Sequence, residues 1–318
     1  MEINRNDTIL VTGGKGFLGH FVCKTLANKG YTNVVPLEGT KRGINLTNAF
    51  FTDKVFRQCQ PDVVLHLAAR VGGIGANKDN PGRFFYDNMY MGMNVIETAR
   101  KLSVKKLVLT GTVCSYPKYT EVPFKEEDIW NGYPEETNAP YGVAKKALME
   151  MLQAYHKQYG LIGITLLPVN MYGPRDNFDP KLSHVIPALI LKVQEAIDNG
   201  DSEIVAWGTG EASREFLYVE DCAEGIVSAM ENYNSPEPVN LGTGREIKIK
   251  DLVVLIASLM EYSGKIVFDA SKPDGQPRRC LDITKAKKEF GFVAKTDFTA
   301  GLSKTIEWFK NDIRCSIQ

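Results

Sequence analysis

The sequence predicts an α/β fold, a doubly wound parallel sheet carrying a smaller C-terminal α/β lobe. Two observations carry that prediction. Through the first half of the chain, short runs that are apolar on both faces alternate with segments of helical spacing. That is the pattern of a parallel sheet covered by helices on each side. The second half breaks the alternation into shorter strands and separate helices, as expected of a lobe packed over the sheet. The length of 318 residues suits two packed units at roughly 150 residues per domain.

The elements follow in order. "TILVTG" reads as the first strand, and "FLGHFVCKTLANKG" as a helix that stops at Gly30. "NVVPL" is the second strand, "NAFFTDKVFRQCQ" a helix halted before Pro61, and "DVVLHLAA" the third strand. "NMYMGMNVIETARKLS" is a long helix, "KKLVLTG" the fourth strand, "YGVAKKALMEMLQAYHKQYG" a helix closed by Gly160, and "GITLLPVNMYG" the fifth strand. Beyond these, "HVIPALILKVQEAIDNG", "VEDCAEGIVSAMENY" and "KIKDLVVLIASLMEYSG" have helical spacing, while "EIVAW", "REFLYV" and "KIVFD" read as short strands. The expected division places residues 1–170 and a return segment near 215–243 in the sheet domain, and 171–214 and 244–318 in the lobe.

Composition excludes several classes. Lys plus Arg equals Asp plus Glu, 38 each, so no charge excess points to nucleic acid or an anionic membrane surface. The six cysteines form no CxxC pair or other metal-ligand spacing, which argues against a disulfide framework or a metal site and for a reducing compartment. "MEINRNDTIL" is polar and does not read as a signal peptide. No apolar run approaches the roughly 18 to 20 residues of a membrane span. The expectation is a soluble cytoplasmic protein.

"VTGGKGFLGH" places Gly13, Gly16 and Gly19 between a strand and a helix, with Phe17 and Leu18 opening that helix. The context lets backbone approach a pyrophosphate at a helix N-terminus, whose free N–H groups and dipole favour anions. A Rossmann-type dinucleotide site is therefore expected; the alternative is an ordinary tight turn. After the second strand comes "PLEGTKRG". Glu38 suits the ribose 2′-hydroxyl of NAD, whereas Lys41 and Arg42 suit the 2′-phosphate of NADP, unless they are solvated loop. NADP is the favoured reading.

"PYGVAKKALMEM" sets Tyr141 and Lys145 four apart, on one helix face. An ammonium beside a phenol stabilises the phenolate and is expected to lower the tyrosine pKa. Such a tyrosine exchanges a proton with a substrate oxygen while a nicotinamide exchanges hydride. The plain alternative is an ordinary amphipathic helix. The "NAP" helix start and the glycine loop upstream favour the functional reading.

Glycine loop, hydroxyl residue after the fourth strand and YxxxK together resemble an extended short-chain dehydrogenase/reductase. Within that family the chain is similar to the GDP-L-fucose synthases, which epimerise GDP-4-keto-6-deoxymannose at C3 and C5 and reduce C4. The similar stretches are "AARVGGIGAN", "VCSYPK", "ETNAPYGVAKK", "PVNMYGPRDNFDP", "SHVIPAL", "WGTGEASREFLYVED" and "SKPDGQPRRCLD". The resemblance implies Cys114 and His184 as the epimerising acid/base pair, Tyr141 as proton donor to O4, Lys145 as its tuner, and Thr112 as a second donor to O4. It implies NADP contacts from Gly13 to Gly19, Ala68, Ala69, Gly111, Thr112, Lys145, Pro168, Asn170, Met171 and His184. Trp207, Arg214, Asp274 and Lys192 match substrate contacts of the family, so a GDP-sugar is the implied partner, and a homodimer the implied assembly. Cys114 also has a plain alternative as a core residue, His184 as a capping or core residue, Trp207 as core and Arg214 as a surface ion pair.

The chain departs from the family pattern at three places. Lys192 stands where arginine is frequent, Ser115 replaces an apolar residue beside Cys114, and Val169 replaces a threonine. These bear on sugar preference more than on chemistry. Among rivals, sugar-nucleotide 4,6-dehydratases carry carboxylates after the threonine, where this chain has Val113 and Cys114. UDP-hexose 4-epimerases leave Cys114 and His184 unexplained. A C4 reductase, or an epimerase/reductase of another GDP-4-keto sugar such as a deoxyheptose, is the stronger competitor. A catalytically inactive NADP-binding regulator is the non-enzyme alternative.

Overall fold

The structure is a computed structural model, and it describes residues 2–39, 45–272 and 274–313. Its main sheet has six strands in the order β2-β1-β3-β4-β5-β9, all parallel. They are β1 (Ile9–Thr12), β2 (Val34–Leu37), β3 (Val63–His66), β4 (Lys106–Thr110), β5 (Gly163–Pro168) and β9 (Val239–Leu241). The side chains of the central strands alternate between two cores. Ile9, Val11, Val63, Leu65, Val108, Ile164 and Leu166 join one core with helices α1 (Phe17–Asn28) and α7 (Val219–Asn232). Leu10, Val64, Leu107 and Leu109 join the opposite core with α2 (Ala49–Cys59), α4 (Pro81–Lys101) and α5 (Ala139–Tyr159). Burial on both faces is why these strands read as unbroken apolar runs. This is the Rossmann-type α/β arrangement expected from the sequence.

A second core forms the lobe. It gathers α6 (Val185–Asn199), α8 (Ile249–Leu259) and α10 (Phe298–Trp308) around two small sheets. One sheet is β10-β8-β6, made of β6 (Asn170–Tyr172), β8 (Ser213–Tyr218) and β10 (Glu246–Lys248). The other pairs β7 (Glu203–Trp207) with β11 (Lys265–Asp269) in parallel. Helices α3 (Ile74–Asp79) and α9 (Thr284–Phe290) complete the chain order. Among the described residues, no helix is long and apolar enough to cross a membrane.

Two expectations change. "GITLLPVNMYG" is two strands rather than one, because the chain leaves the main sheet after Pro168. Val169 N–H donates to Leu241 O at 3.0 Å, and β6 then pairs with β8. The whole stretch is apolar, so its periodicity carries no mark of the change of partner. "REFLYV" forms β8 in the small sheet, and the return to the main sheet is made by α7 and β9. Buried Lys106 supports that return: its ammonium donates to Met230 O at 2.5 Å and Ala229 O at 3.3 Å. A cation there complements the carbonyls and dipole at the end of α7.

Candidate active site

The C-terminal ends of the parallel strands carry the candidate residues, as general rules for open α/β sheets require. At the end of β1, Gly13 adopts φ 71°. A Cβ on Gly13 would lie 3.0 Å from Ala68 N, and one on Gly19 only 2.1 Å from Gly13 O. The first turn of α1 therefore rests directly on the loop, with Gly16 at its N-cap, Phe17 half-buried and Leu18 buried. No acidic residue occupies that first turn. Free N–H groups and a backbone stripped of side chains make a cradle that fits a dinucleotide pyrophosphate.

A buried network fixes the neighbouring loop. Thr12 Oγ1 accepts from Ala68 N at 3.2 Å and lies 2.8 Å from His66 Nδ1. Burial, reinforced by the Lys145 charge, lowers His66 to about 3, so the ring is neutral. Ala69 is half-buried. Beyond it, Asn88 clamps Arg70 by accepting from its N–H at 3.1 Å and donating to its carbonyl at 2.9 Å. Glu38 sits 3.5 Å from the Lys15 ammonium. Lys41 and Arg42 lie outside the described residues.

At the end of β4, buried Gly111 leads to Thr112, which caps a short 3-10 turn, Val113–Ser115. Thr112 Oγ1 accepts from Cys114 N at 3.2 Å and also hydrogen-bonds the Tyr141 side chain. Helix α5 presses on this turn at Gly142, where a Cβ would come within 2.2 Å of Cys114 O. Ser115 Oγ donates to Gly142 O at 3.0 Å and locks the contact. The result is a tight cluster of Thr112, Cys114 and Tyr141 around the end of β4.

Lys145 is buried on the same helix, and its ammonium donates to Thr110 O at 2.9 Å. Burial lowers it to about 8. The expectation that Lys145 lowers Tyr141 is corrected here. Burial and then the Cys114 charge push Tyr141 up, and the bond to Thr112 only partly offsets them. The lysine is turned toward a backbone carbonyl rather than the phenol. Tyr141 is consequently held as a phenol, the form required of a proton donor.

His184 is the N-cap of α6 and is exposed at the surface, although neighbouring protein crowds its ring. The loop after β3 packs against its approach: Gly73 N donates to Leu182 O at 3.1 Å, and a Cβ on Gly73 would lie 2.4 Å from Ser183 O. Burial of the ring among its neighbours, then the Arg279 charge, lowers the His184 pKa. Arg279 itself points at the other member of the pair, with Nη1 3.7 Å from Cys114 Sγ. Cys114 and His184, 70 positions apart in the chain, thus both feel the charge of Arg279, which of the two contacts the cysteine alone.

The remaining candidates divide into two groups. Pro168 ends β5, and Asn170 and Met171 begin β6, so they line the exit from the main sheet beside Gly111. Arg214 on β8 is buried and donates to Ser213 O at 2.7 Å and Asp274 O at 2.9 Å. Burial, then repulsion from Arg279, lowers it to about 10. The Asp274 carboxylate is engaged by Thr209, accepting from its N–H at 2.8 Å and its hydroxyl at 2.7 Å. Asp274 thereby holds the loop whose carbonyl steadies Arg214. Trp207 is 63% exposed at the end of β7. Lys192, on α6, donates to Val205 O of the same strand. These two form an outer shelf, separate from the Cys114 cluster.

Sequence reasoning missed Arg279, Gln276, His66 and Asn88. The first two fall in "SKPDGQPRRCLD", a stretch noted for resemblance but credited only with Asp274. Nothing in spacing joins Arg279 to Cys114, because the chain between them crosses both cores.

Comparison with known proteins shows the family. Residues 9–242 match the NAD dependent epimerase/dehydratase family. A probable GDP-L-fucose synthase 1 of Oryza sativa subsp. japonica is 39% identical over 311 residues, covering 98% of this chain and 94% of that protein. The structure of a GDP-6-OMe-4-keto-L-xylo-heptose reductase from C. jejuni superposes with a TM-score of 0.90 at 29% identity, covering 98% of this chain and 99% of that one. A GDP-L-fucose synthetase from Naegleria fowleri bound to NADP superposes with a TM-score of 0.88 at 29% identity, covering 99% and 97%. The chain therefore belongs to the NAD dependent epimerase/dehydratase family of extended short-chain dehydrogenases/reductases, as a GDP-L-fucose synthase-like, NAD(P)-dependent epimerase and reductase.

Proposed function

We propose that the enzyme epimerises GDP-4-keto-6-deoxy-D-mannose at C3 and C5, then reduces C4 with NADPH to give GDP-L-fucose. The observation that supports this reading is a thiol, Cys114, clustered with Tyr141 and Thr112 at the end of β4, with Arg279 Nη1 3.7 Å from its sulfur. A plain reductase needs only the tyrosine, lysine and hydroxyl residue. A thiol and an imidazole added at the same centre are the acid and base that epimerisation requires.

The 4-ketone acidifies the hydrogens on C3 and C5. Cys114 takes one such proton on Sγ, and the electron pair of the C–H bond moves into an enolate. The charge at O4 is met by the Tyr141 and Thr112 hydroxyls acting as donors. His184, as imidazolium, delivers a proton to the opposite face, which inverts the carbon. Transfer of a proton from Sγ back to the imidazole resets the pair. In the last stage NADPH, when bound, supplies hydride to C4. Tyr141 gives its proton to O4, and Lys145, held by Thr110 O, supplies the nearby positive charge on the same helix.

Gly13, Gly16 and Gly19 would hold the pyrophosphate, with Ala68, Gly111, Lys145 and Asn170 along the rest of the cofactor. NADPH rather than NADH is part of the proposal, supported by the pairing of Glu38 with Lys15 at 3.5 Å. Assembly as a homodimer through α4 and α5 belongs to it as well, supported by exposed Tyr86 and Tyr90 on α4, whose tilted rings lie 4.3 Å apart.

The test is incubation with GDP-4-keto-6-deoxymannose in heavy water, with and without NADPH. Deuterium at both C3 and C5, lost in Cys114→Ser, with NADPH-dependent formation of GDP-L-fucose, is the expected result. NADPH oxidation without deuterium uptake would identify a C4 reductase. No turnover would point to another GDP-4-keto sugar, a deoxyheptose first.

A further inference from the structure

The geometry points to Arg279 as the positioning residue that holds Cys114 as a thiolate, the form in which it acts as a base. The inference rests on the reading of Cys114 as the epimerisation base. Arg279 is buried, and Nη1 lies 3.7 Å from Sγ. Its other described hydrogen bonds go to one neutral atom, Gln276 Oε1, from Nε at 3.2 Å and Nη2 at 3.1 Å. Gln276 is itself anchored, donating to Lys118 O at 2.9 Å. Among the described residues no carboxylate forms an ion pair with Arg279. A buried guanidinium without an acidic partner is costly unless an anion completes it. The sulfur is the one group within reach that becomes an anion by losing a proton.

The charged and titratable groups around Sγ come from three elements. Arg279 approaches from the segment between β11 and α9, Arg214 from β8, and Tyr141 from α5. Two of the three are cations, and the third is a phenol held in its neutral form by burial. Arg279 and Arg214 favour the thiolate, while Asp274 and Glu135, which act on Arg214, and His184, on which Arg279 acts, complete the charged surroundings. A thiolate at Cys114 also compensates Arg279, whose charge otherwise lowers the His184 pKa. Each epimerisation moves a carbon-bound proton to the thiolate and an imidazolium proton to the other face of the carbon. No oxidant, reductant or further reactant is consumed.

The test is alkylation of Cys114 by iodoacetamide in the free enzyme as a function of pH, followed by mass spectrometry of its peptide. Only the thiolate reacts, so the profile reads the ionisation directly. In the wild type the rate at pH 7 should reach about a third or more of the plateau rate, against the few per cent of an ordinary thiol. In Arg279→Gln the rate at pH 7 should fall about tenfold and rejoin the wild type near pH 10, while Arg279→Lys keeps most of it. Cys59, half-buried and remote from Arg279, serves as the internal control. Superimposable profiles of wild type and Arg279→Gln would overturn the inference, as would Arg279→Lys behaving like the glutamine variant. If the glutamine variant does not fold, the wild-type profile decides: reactivity at pH 7 of only a few per cent of the plateau overturns it. The assay involves no sugar, so its failure is distinct from failure of the heavy-water experiment.

Discussion

Gly142→Ala tests the most constrained contact in the site. A Cβ at that position would sit 2.2 Å from Cys114 O and 2.9 Å from Cys114 C. Both are backbone atoms, so no side-chain rotation relieves the overlap. The 3-10 turn must retreat from α5 by about 1 Å to reach ordinary contact, at an overpacking cost of about 1–3 kcal/mol. The retreat also pulls on the bond from Ser115 Oγ to Gly142 O, now 3.0 Å. Cys114 and Thr112 ride on that turn, while Tyr141 stays on the helix. A displacement of about 1 Å between groups that must act together costs on the order of a hundredfold in rate. Gly142→Ala should therefore lose both stability, read by urea denaturation, and deuterium uptake at C3 and C5. The glycine cradle at α1 is untouched, so NADPH titration should be unchanged. Gly82→Ala is the matched control, since a Cβ there meets nothing within 4 Å and gains about 0.5–1 kcal/mol of helical preference. If Gly142→Ala kept wild-type stability to within about 0.5 kcal/mol and full exchange, the close approach of helix and turn would be refuted.

Other predictions concern cofactor and protons. Gly19→Ala brings a Cβ to 2.1 Å from Gly13 O, and fluorescence titration should show NADPH binding weakened by at least about tenfold. Lys145 is lowered by burial from 10.5 to about 8, so between those values the unfolded chain holds a proton that the folded chain does not. Its contribution makes stability rise with pH across that window. Lys145→Met should flatten the rise in urea melts at pH 7.5 and 10, and slow reduction by about 10²–10⁴-fold. Asp176 is raised by burial from 3.8 to about 7. The protonated acid favours folding below the lower value, and that stability is lost as pH rises through the upper one. Asp176→Asn should remove this loss, gaining stability relative to the wild type at pH 8 and not at pH 4, in the same melts.

Much of the sheet domain was legible because its signals are local. A strand buried on both faces must be apolar throughout, and a helix must repeat its apolar positions every turn. β1 through β5 and the helices between them announce themselves in that way. The glycine cradle was legible for the same reason: Gly13, Gly16 and Gly19 serve contacts within one turn of chain. Tyr141 and Lys145 were found together because four residues on a helix are neighbours in space.

What the sequence could not decide depends on distance through space. The split of "GITLLPVNMYG" into β5 and β6 is set by two different partner strands, β9 and β8, and both faces remain apolar throughout. The direction of the Tyr141 shift needed the depth of burial and the aim of Lys145 toward Thr110 O, neither of which spacing encodes. Resemblance supplied Cys114 and His184, but the guanidinium beside the cysteine comes from Arg279, 165 positions beyond it. A hydrogen bond or a Coulomb interaction acts over a few ångströms and is indifferent to chain separation. The sequence determined which segments form strands, helices and the phosphate cradle. The tertiary structure alone decided which charge faces the cysteine.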